Sequence, residues 1–303
     1  MNVTLTGATG LIGAAIVRAL RARGDAVTVL TRDPDRARAA LGDVEAHAWQ
    51  PLQEPAPAAA LSGRDAVVHL AGESVAQRWT DEARRAIHES RETGARNLVA
   101  GIGAADPRPR VLVSATGMDY YGPHGDEPVT EDTPPGDDFL ARVCVAWERE
   151  ASRAAEHGLR VAMLRTAVVL DRHGGALSKM LPFFRLGIGG PVAGGRQYMP
   201  WIHAEDIVGL YLAAVDDARW EGPINACAPE PVTNREFSRA LGRALRRPAF
   251  APVPGLAVRL LYGDMADIVT TGQRAVPVRA LEHGYAFRQA DLEQALRDAV
   301  GRA

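Results

Sequence analysis

Lysine is almost missing from this chain. Lys179 is the only one, and the other 34 of the 35 basic residues are arginine. A catalytic lysine, whether amine nucleophile or fixed cation, therefore has one address. Cysteine is nearly as scarce. Cys144 and Cys227 give neither a disulfide framework nor metal-ligand spacing. No metal is expected, and a reduced, cytoplasmic setting is. No apolar run approaches the ~18 residues of a membrane span. The opening "MNVTLTGATG" enters a strand-like pattern with no basic leader or signal core. Charge of one sign is lacking too, at a formal net −2 over 303 residues. That disfavours a broad footprint for nucleic acid or an anionic membrane. There is no internal repeat, and the only biased segment is the Ala/Pro patch at 53–61.

What is present is a rhythm of buried strands and amphipathic helices. Strand-like runs fall at 2–6, 26–30, 65–72, 110–116 and 159–170. Helical periodicity covers "AAIVRALRARG", closed by Gly24, then 80–102 with Thr80 as N-cap, and 137–158 closed by Gly158. Strands alternating with helices of this length imply an α/β protein with a doubly wound parallel sheet. After 170 the rhythm loosens into Gly- and Pro-rich chain. A helix begins near Ala204, and another is expected to be capped by Asn234 and stopped before Pro248. The organisation expected is a nucleotide-binding domain at 1–170, with 200–220 returning to it. A smaller C-terminal substrate lobe takes 171–199 and 221–303.

"LTGATGLIG" places Gly7, Gly10 and Gly13 between a strand and a helix. Glycine permits the tight turn, the approach of backbone to a pyrophosphate, and close helix–strand packing. The helix start then offers free N–H groups to phosphate. Thr9, Leu11 and Ile12 belong to the same turn, and Leu70, Ala71, Gly72 and Ser114 end the neighbouring strands. The second strand ends in Thr31-Arg32, where a site for NAD places an acid. Arg32 suits a 2′-phosphate, so NADP(H) is the expected cofactor. The competing reading is a solvated Arg32 beside Asp33.

"TGATGLIG", "VVHLAGE", "RWT", "SAT…YYG", "VCVAWE", "GGPVAGGRQYMPWIHAEDI" and "PINACAPEPVTNREF" together resemble the atypical, extended short-chain dehydrogenase/reductases. The branch is the one often labelled "epimerase family protein", and the resemblance covers nearly the whole chain. It implies a Rossmann fold of the extended type. In that family a Ser/Thr, a Tyr and a Lys act together on the substrate oxygen. By resemblance Thr116 matches the Ser/Thr, but Leu140 and Cys144 stand at the Tyr-x-x-x-Lys positions, followed by Trp147-Glu148. A subset of these reductases, an angucyclinone ketoreductase among them, lacks the same pair. Met118-Asp119 is a further departure, since this branch tends to read "SAxAVGYYG".

A ketone reductase without that pair needs another source of protons. Asp119 and Tyr121 are the protein candidates beside Thr116. Tyr120, His124, His203 and Lys179 each also have a bland reading: pocket wall, titratable bystander, helix brace and exposed lysine. A substrate hydroxyl next to the ketone is the remaining source, as on a polycyclic aromatic polyketide. The sequence thus supports an NADPH-dependent ketoreductase acting on a small carbonyl compound, in a chain that forms a homodimer if it follows its fold. A nucleotide-sugar epimerase or dehydratase, and a silent NADPH-binding sensor, are the alternatives.

Overall fold

The computed structural model describes residues 1–301. Eleven strands form in chain order: β1 Asn2–Thr6, β2 Ala26–Thr31, β3 Glu45–Ala48, β4 Ala66–His69, β5 Val111–Gly117, β6 Pro128–Val129, β7 Arg160–Thr166, β8 Val168–Leu170, β9 Trp201–His203, β10 Gly222–Ala226 and β11 Arg274–Ala275. Seven of them make one parallel sheet in the order β10-β7-β5-β4-β1-β2-β3. The order reverses between β1 and β4. A sheet of this kind opens a crevice there, beyond the carboxyl ends of the strands.

Helices cover both faces. They are α1 Leu11–Ala22, α2 Pro34–Leu41, α3 Asp81–Ala104, α4 Phe139–Ser152, α5 Gly175–Arg185, α6 Ala204–Asp216, α7 Asn234–Leu245, α8 Gly255–Tyr262, α9 Asp267–Thr270, α10 Val278–Glu282 and α11 Leu292–Ala299. One face buries Val3, Leu5 and Leu164 against Ile16 and Leu20 of α1 and Leu210 and Tyr211 of α6. The other buries Val67, Leu112 and Met163 against Leu98 and Ile102 of α3 and Ala151 of α4. The C-terminal lobe has its own core, in which α5, α7 and α11 meet through Leu181, Phe237 and Leu296.

Several expectations change in detail. β10 is the seventh strand of the sheet, so the nucleotide-binding layer reaches Ala226, past the boundary expected at 221. The run at 159–170 is two strands: β7 stays in the large sheet and β8 leaves it to pair with β9. α5 forms in the Gly- and Pro-rich segment after 170, despite Pro182. Leu177, Leu181 and Phe184, at helical spacing, supply the buried stripe that Gly- and Pro-rich composition obscured. α4 ends at Ser152, and a 3-10 turn runs on to Gly158. Thr233, not Asn234, caps α7. Its Oγ1 accepts from Glu236 N at 3.3 Å while Glu236 Oε2 accepts from Thr233 N at 2.7 Å, a closed capping box. Asn234 instead turns inward, and its Oδ1 accepts from Val192 N at 2.8 Å. Thr80 caps α3 by accepting from Ala83 N at 3.2 Å. Among the described residues no helix is long and apolar enough to cross a membrane.

Candidate active site

The cofactor cradle lies at the carboxyl ends of β1 and β4. The chain leaves β1 through Gly7 at φ +66, and a Cβ there would stand 2.8 Å from the Leu70 carbonyl carbon. A Cβ on Gly13 would stand 2.3 Å from Gly7 O. Turn, helix and β4 exit are therefore in backbone contact, which no side chain permits. Gly10 caps α1 with no side-chain hydrogen bond, and Ala14 N is the first to find a helical acceptor, Gly10 O at 2.9 Å. The amides of Leu11, Ile12 and Gly13 thus stand at an open helix start, the arrangement that takes phosphate. Thr9 is exposed on the same turn. A nicotinamide dinucleotide fits these residues: the missing Cβ atoms clear the approach and the helix start supplies the donors.

Thr6 holds the cradle from beneath. Its Oγ1 accepts from Leu70 N and Ala71 N at 3.1 Å each, so its own proton goes to His69 Nδ1 at 2.7 Å. His69 is pushed down to about 4 by burial and by the charge of Arg91, and is neutral at working pH. Ser114, a candidate cofactor contact, is buried, and its Oγ donates to Ala115 O at 3.1 Å. At the end of β2, Asp33 accepts from Arg36 N at 3.0 Å as the cap of α2. Its carboxylate is committed to that helix. Arg32 beside it is exposed and Thr31 half-buried, so the position facing an adenosine ribose offers a cation and no free acid.

The candidate catalytic residues lie at and beyond the end of β5. Gly117 is extended, and a Cβ on it would lie 3.3 Å from Asp119 Oδ2 and 3.5 Å from Cys144 Sγ. Carboxyl and thiol therefore share the space above one bare glycine. Burial holds the Asp119 carboxyl up at about 6, the Asp138 carboxylate adds to this, and Arg91 opposes it. Burial also pushes the Cys144 thiol up to about 12, which removes it as a thiolate nucleophile. Leu140 is buried with Val143 and Ile87, an apolar contact. Thr116 pairs in register with Arg165, whose Nε and Nη2 bind Glu148 of α4 at 2.9 and 2.8 Å. It therefore faces the α4 side of the sheet, where its buried hydroxyl has no partner.

Tyr121 is not free for proton transfer. Its hydroxyl donates to Asn225 Oδ1 at 2.6 Å and accepts from Arg165 Nη1 at 2.8 Å, and burial raises its pKa. It belongs to the Arg165–Glu148 network, as does Tyr120, whose ring centroid lies 3.4 Å from the Arg165 guanidinium. Of the two candidate acids, Tyr121 has its hydroxyl fully engaged, whereas the Asp119 carboxyl makes no side-chain ion pair among the described residues. The remaining candidates also have other occupations. His203 Nδ1 accepts from Glu205 N at 3.2 Å and its Nε2 meets Asp298 at 3.1 Å, bracing α6. Lys179 Nζ donates to Ala76 O at 3.1 Å, tying α5 to the loop after β4. His124 is the exception: its backbone N–H donates to Gly272 O at 2.9 Å, but its imidazole Nδ1 is buried without a partner.

Arg91 is a residue beside the candidate site that motif reading misses. It sits on α3 at the core-facing spacing of Ile87, Gly94, Ala95 and Leu98, where the helical period calls for an apolar side chain. That misplaced charge was the available signal. Its Nη1 donates to Glu73 O at 2.9 Å and Ile87 O at 3.1 Å, and its guanidinium lies 5.1 Å from the Trp147 ring centroid. A Cβ on Gly72 would lie 3.3 Å from its Cζ. Among the described residues no group of three or more His, Cys, Asp or Glu is placed to hold a metal.

A seven-stranded parallel sheet with a switch in strand order and a glycine turn opening α1 make this a Rossmann protein of the extended short-chain dehydrogenase/reductase type. The chain belongs to the NAD dependent epimerase/dehydratase family, whose model matches residues 3–227. A second model, a domain of unknown function (DUF1731), matches 253–299. The Arabidopsis thaliana epimerase family protein SDR39U1 homolog, chloroplastic, is 40% identical over 299 residues, covering 98% of this chain and 86% of that protein. The epimerase family protein Mb2239 of Mycobacterium bovis is 38% identical over 302 residues, 99% of this chain and 98% of that one. The crystal structure of human epimerase family protein SDR39U1 (isoform 2) with NADPH superposes at a TM-score of 0.90, with 35% identity and coverage of 99% and 100%.

Proposed function

We propose that the chain is an NADP(H)-dependent oxidoreductase that reduces the ketone of a small carbonyl compound, with Asp119 as proton donor. The carrying observation is that an open helix-start cradle at the carboxyl ends of β1 and β4 and a carboxyl raised by burial, just past the end of the neighbouring β5, lie on the same edge of the sheet. Its support comes from Asp33 being spent on α2 while Arg32 is free, and from the human relative crystallised with NADPH. Gly7, Gly10 and the amides of Leu11 to Gly13 would hold the diphosphate, Arg32 the 2′-phosphate, and Leu70 to Gly72 the chain between. The bound dinucleotide supplies hydride to the carbonyl carbon. Asp119 gives its proton to the carbonyl oxygen and recovers one from water through its exposed edge. A carboxyl near 6 is suited to this exchange close to neutral pH. Trp147 and Leu140 close the apolar side and exclude water.

The finer expectation of an aromatic polyketide draws nothing from the relatives, and the proposal stops at a carbonyl compound. An epimerase-type reaction keeps one observation in its favour: Asp119 is largely ionised at neutral pH and can act as a base on a sugar hydroxyl. Fluorescence titration with NADPH, then a carbonyl panel followed by NADPH absorbance, tests the main reading. Turnover that falls as pH rises through about 6 is expected. NADPH binding without turnover on any ketone defeats it, and oxidised cofactor retained through purification favours the epimerase.

A further inference from the structure

Arg91 presents a problem of charge. Two backbone carbonyls and, at 3.5 Å, the Ser90 hydroxyl take its Nη1, yet among the described residues no carboxylate forms an ion pair with it, and Nε and Nη2 have no protein acceptor. A guanidinium drawn into the protein loses hydration, and a chain keeps such a group where something repays it. Burial already pulls its pKa down, with the Cys144, Asp119 and Glu73 side chains pulling the other way. Its surroundings show what it is held for. Gly72, exposed just after β4, borders it, since a Cβ there would lie 3.3 Å from its Cζ. Asp119 and Cys144 are near enough to act on its charge. Its Cζ lies over the Trp147 ring, 5.1 Å from the centroid, a cation–π contact.

We propose that Arg91 is the resident cation of this site, reaching in from α3 because α4 carries Cys144 where a lysine would stand, and that its two free nitrogens receive an oxyanion. The assignment rests on the oxidoreductase reading above. The oxyanion has two possible sources, a phosphate oxygen of the dinucleotide or the alkoxide forming on the reduced ketone. A planar fork held by Trp147 and two carbonyls is preorganised for either. The bare Gly72 is part of the device, because a larger residue would displace the guanidinium.

The test compares Arg91→Gln, Arg91→Lys and Gly72→Val with the native protein. Readouts are NADPH affinity by fluorescence, inorganic pyrophosphate affinity by calorimetry, kcat, and the Asp119 midpoint by NMR in ligand-free protein. If the oxyanion is phosphate, Arg91→Gln weakens NADPH and pyrophosphate binding by roughly 10- to 100-fold and spares kcat. If it is the alkoxide, binding is unchanged and kcat falls by roughly 100-fold. In both cases the Asp119 midpoint rises, because the cation that opposes its burial and the Asp138 carboxylate has gone. Arg91→Lys recovers part of the loss, and Gly72→Val, which keeps the arginine and moves it, reproduces part of it. Native affinity, kcat and Asp119 midpoint in Arg91→Gln overturn the assignment. A native protein that binds no NADPH overturns the oxidoreductase reading instead. Pyrophosphate affinity and the Asp119 midpoint then still decide the role of Arg91.

Discussion

Asp119→Asn should make the protein more stable and less active at once, and the size of the gain should depend on pH. The folded-state carboxyl sits at about 6 against 3.8 for the free side chain. Because the folded value is the higher one, the ionised wild type carries a penalty. That penalty is absent below the free value and complete once pH has passed the folded one. Between those limits it grows to about 3 kcal/mol, at roughly 1.4 kcal/mol for each unit of pKa. The amide of asparagine keeps the volume and cannot ionise. A chain of 303 residues has an unfolding entropy of roughly 0.6 kcal/mol/K, so the variant should melt about 5 °C higher at pH 7.5. At pH 5 the native carboxyl is largely protonated, and the gain should fall to roughly half. Ketone reduction should drop by roughly 10²- to 10⁴-fold. Calorimetry at the two pH values with a rate assay checks both halves. A melting shift that is equal at pH 5 and pH 7.5, or a loss of stability, refutes the reasoning, since burial of the charge would then not be its cause.

Other expected outcomes follow from the same geometry. Arg32→Ala should reduce the preference for NADPH over NADH, read as the ratio of their dissociation constants; an unchanged ratio would make Arg32 a surface charge. Gly13→Ala places a methyl against Gly7 O, so it should both abolish NADPH binding in a fluorescence titration and lower the melting temperature. Glu148→Ala strands the Arg165 guanidinium and should cost about 3–5 kcal/mol in urea unfolding. Cys144→Ala should retain NADPH binding and turnover, and thiol reagents should inactivate the native protein slowly even at pH 8, because the thiol is held up at about 12.

The parts of this molecule that were legible in its sequence are those with a local cause. The glycine turn announces itself because steric exclusion at Gly7 and Gly13 is written as glycine. Thr80 was readable because a cap acts three residues away. β3 was hidden because "EAHA" has no apolar pattern, and it forms by pairing with β2. α5 was hidden because Gly174, Gly175 and Pro182 mask its buried stripe. Around the candidate site, the place of Asp119 just after a strand was legible. The occupation of Tyr121 was not, because its partners Asn225 and Arg165 lie 104 and 44 residues away. Arg91 was visible as a charge out of phase with its helix, but its purpose depends on α4 and β4, which only tertiary packing brings to it.

The single lysine has a practical consequence. Apart from the N-terminal amine, which is paired with Asp25, Lys179 is the one side-chain amine a succinimidyl dye could modify. It lies on α5, whose first residues rest against Leu11 of the cofactor turn, and it reaches across to Ala76. A reporter attached there at a pH that spares the N-terminus would mark a single known position over the crevice. Its emission would register occupancy of the crevice without any engineered attachment point, so ligands could be screened on the native sequence before a substrate is known.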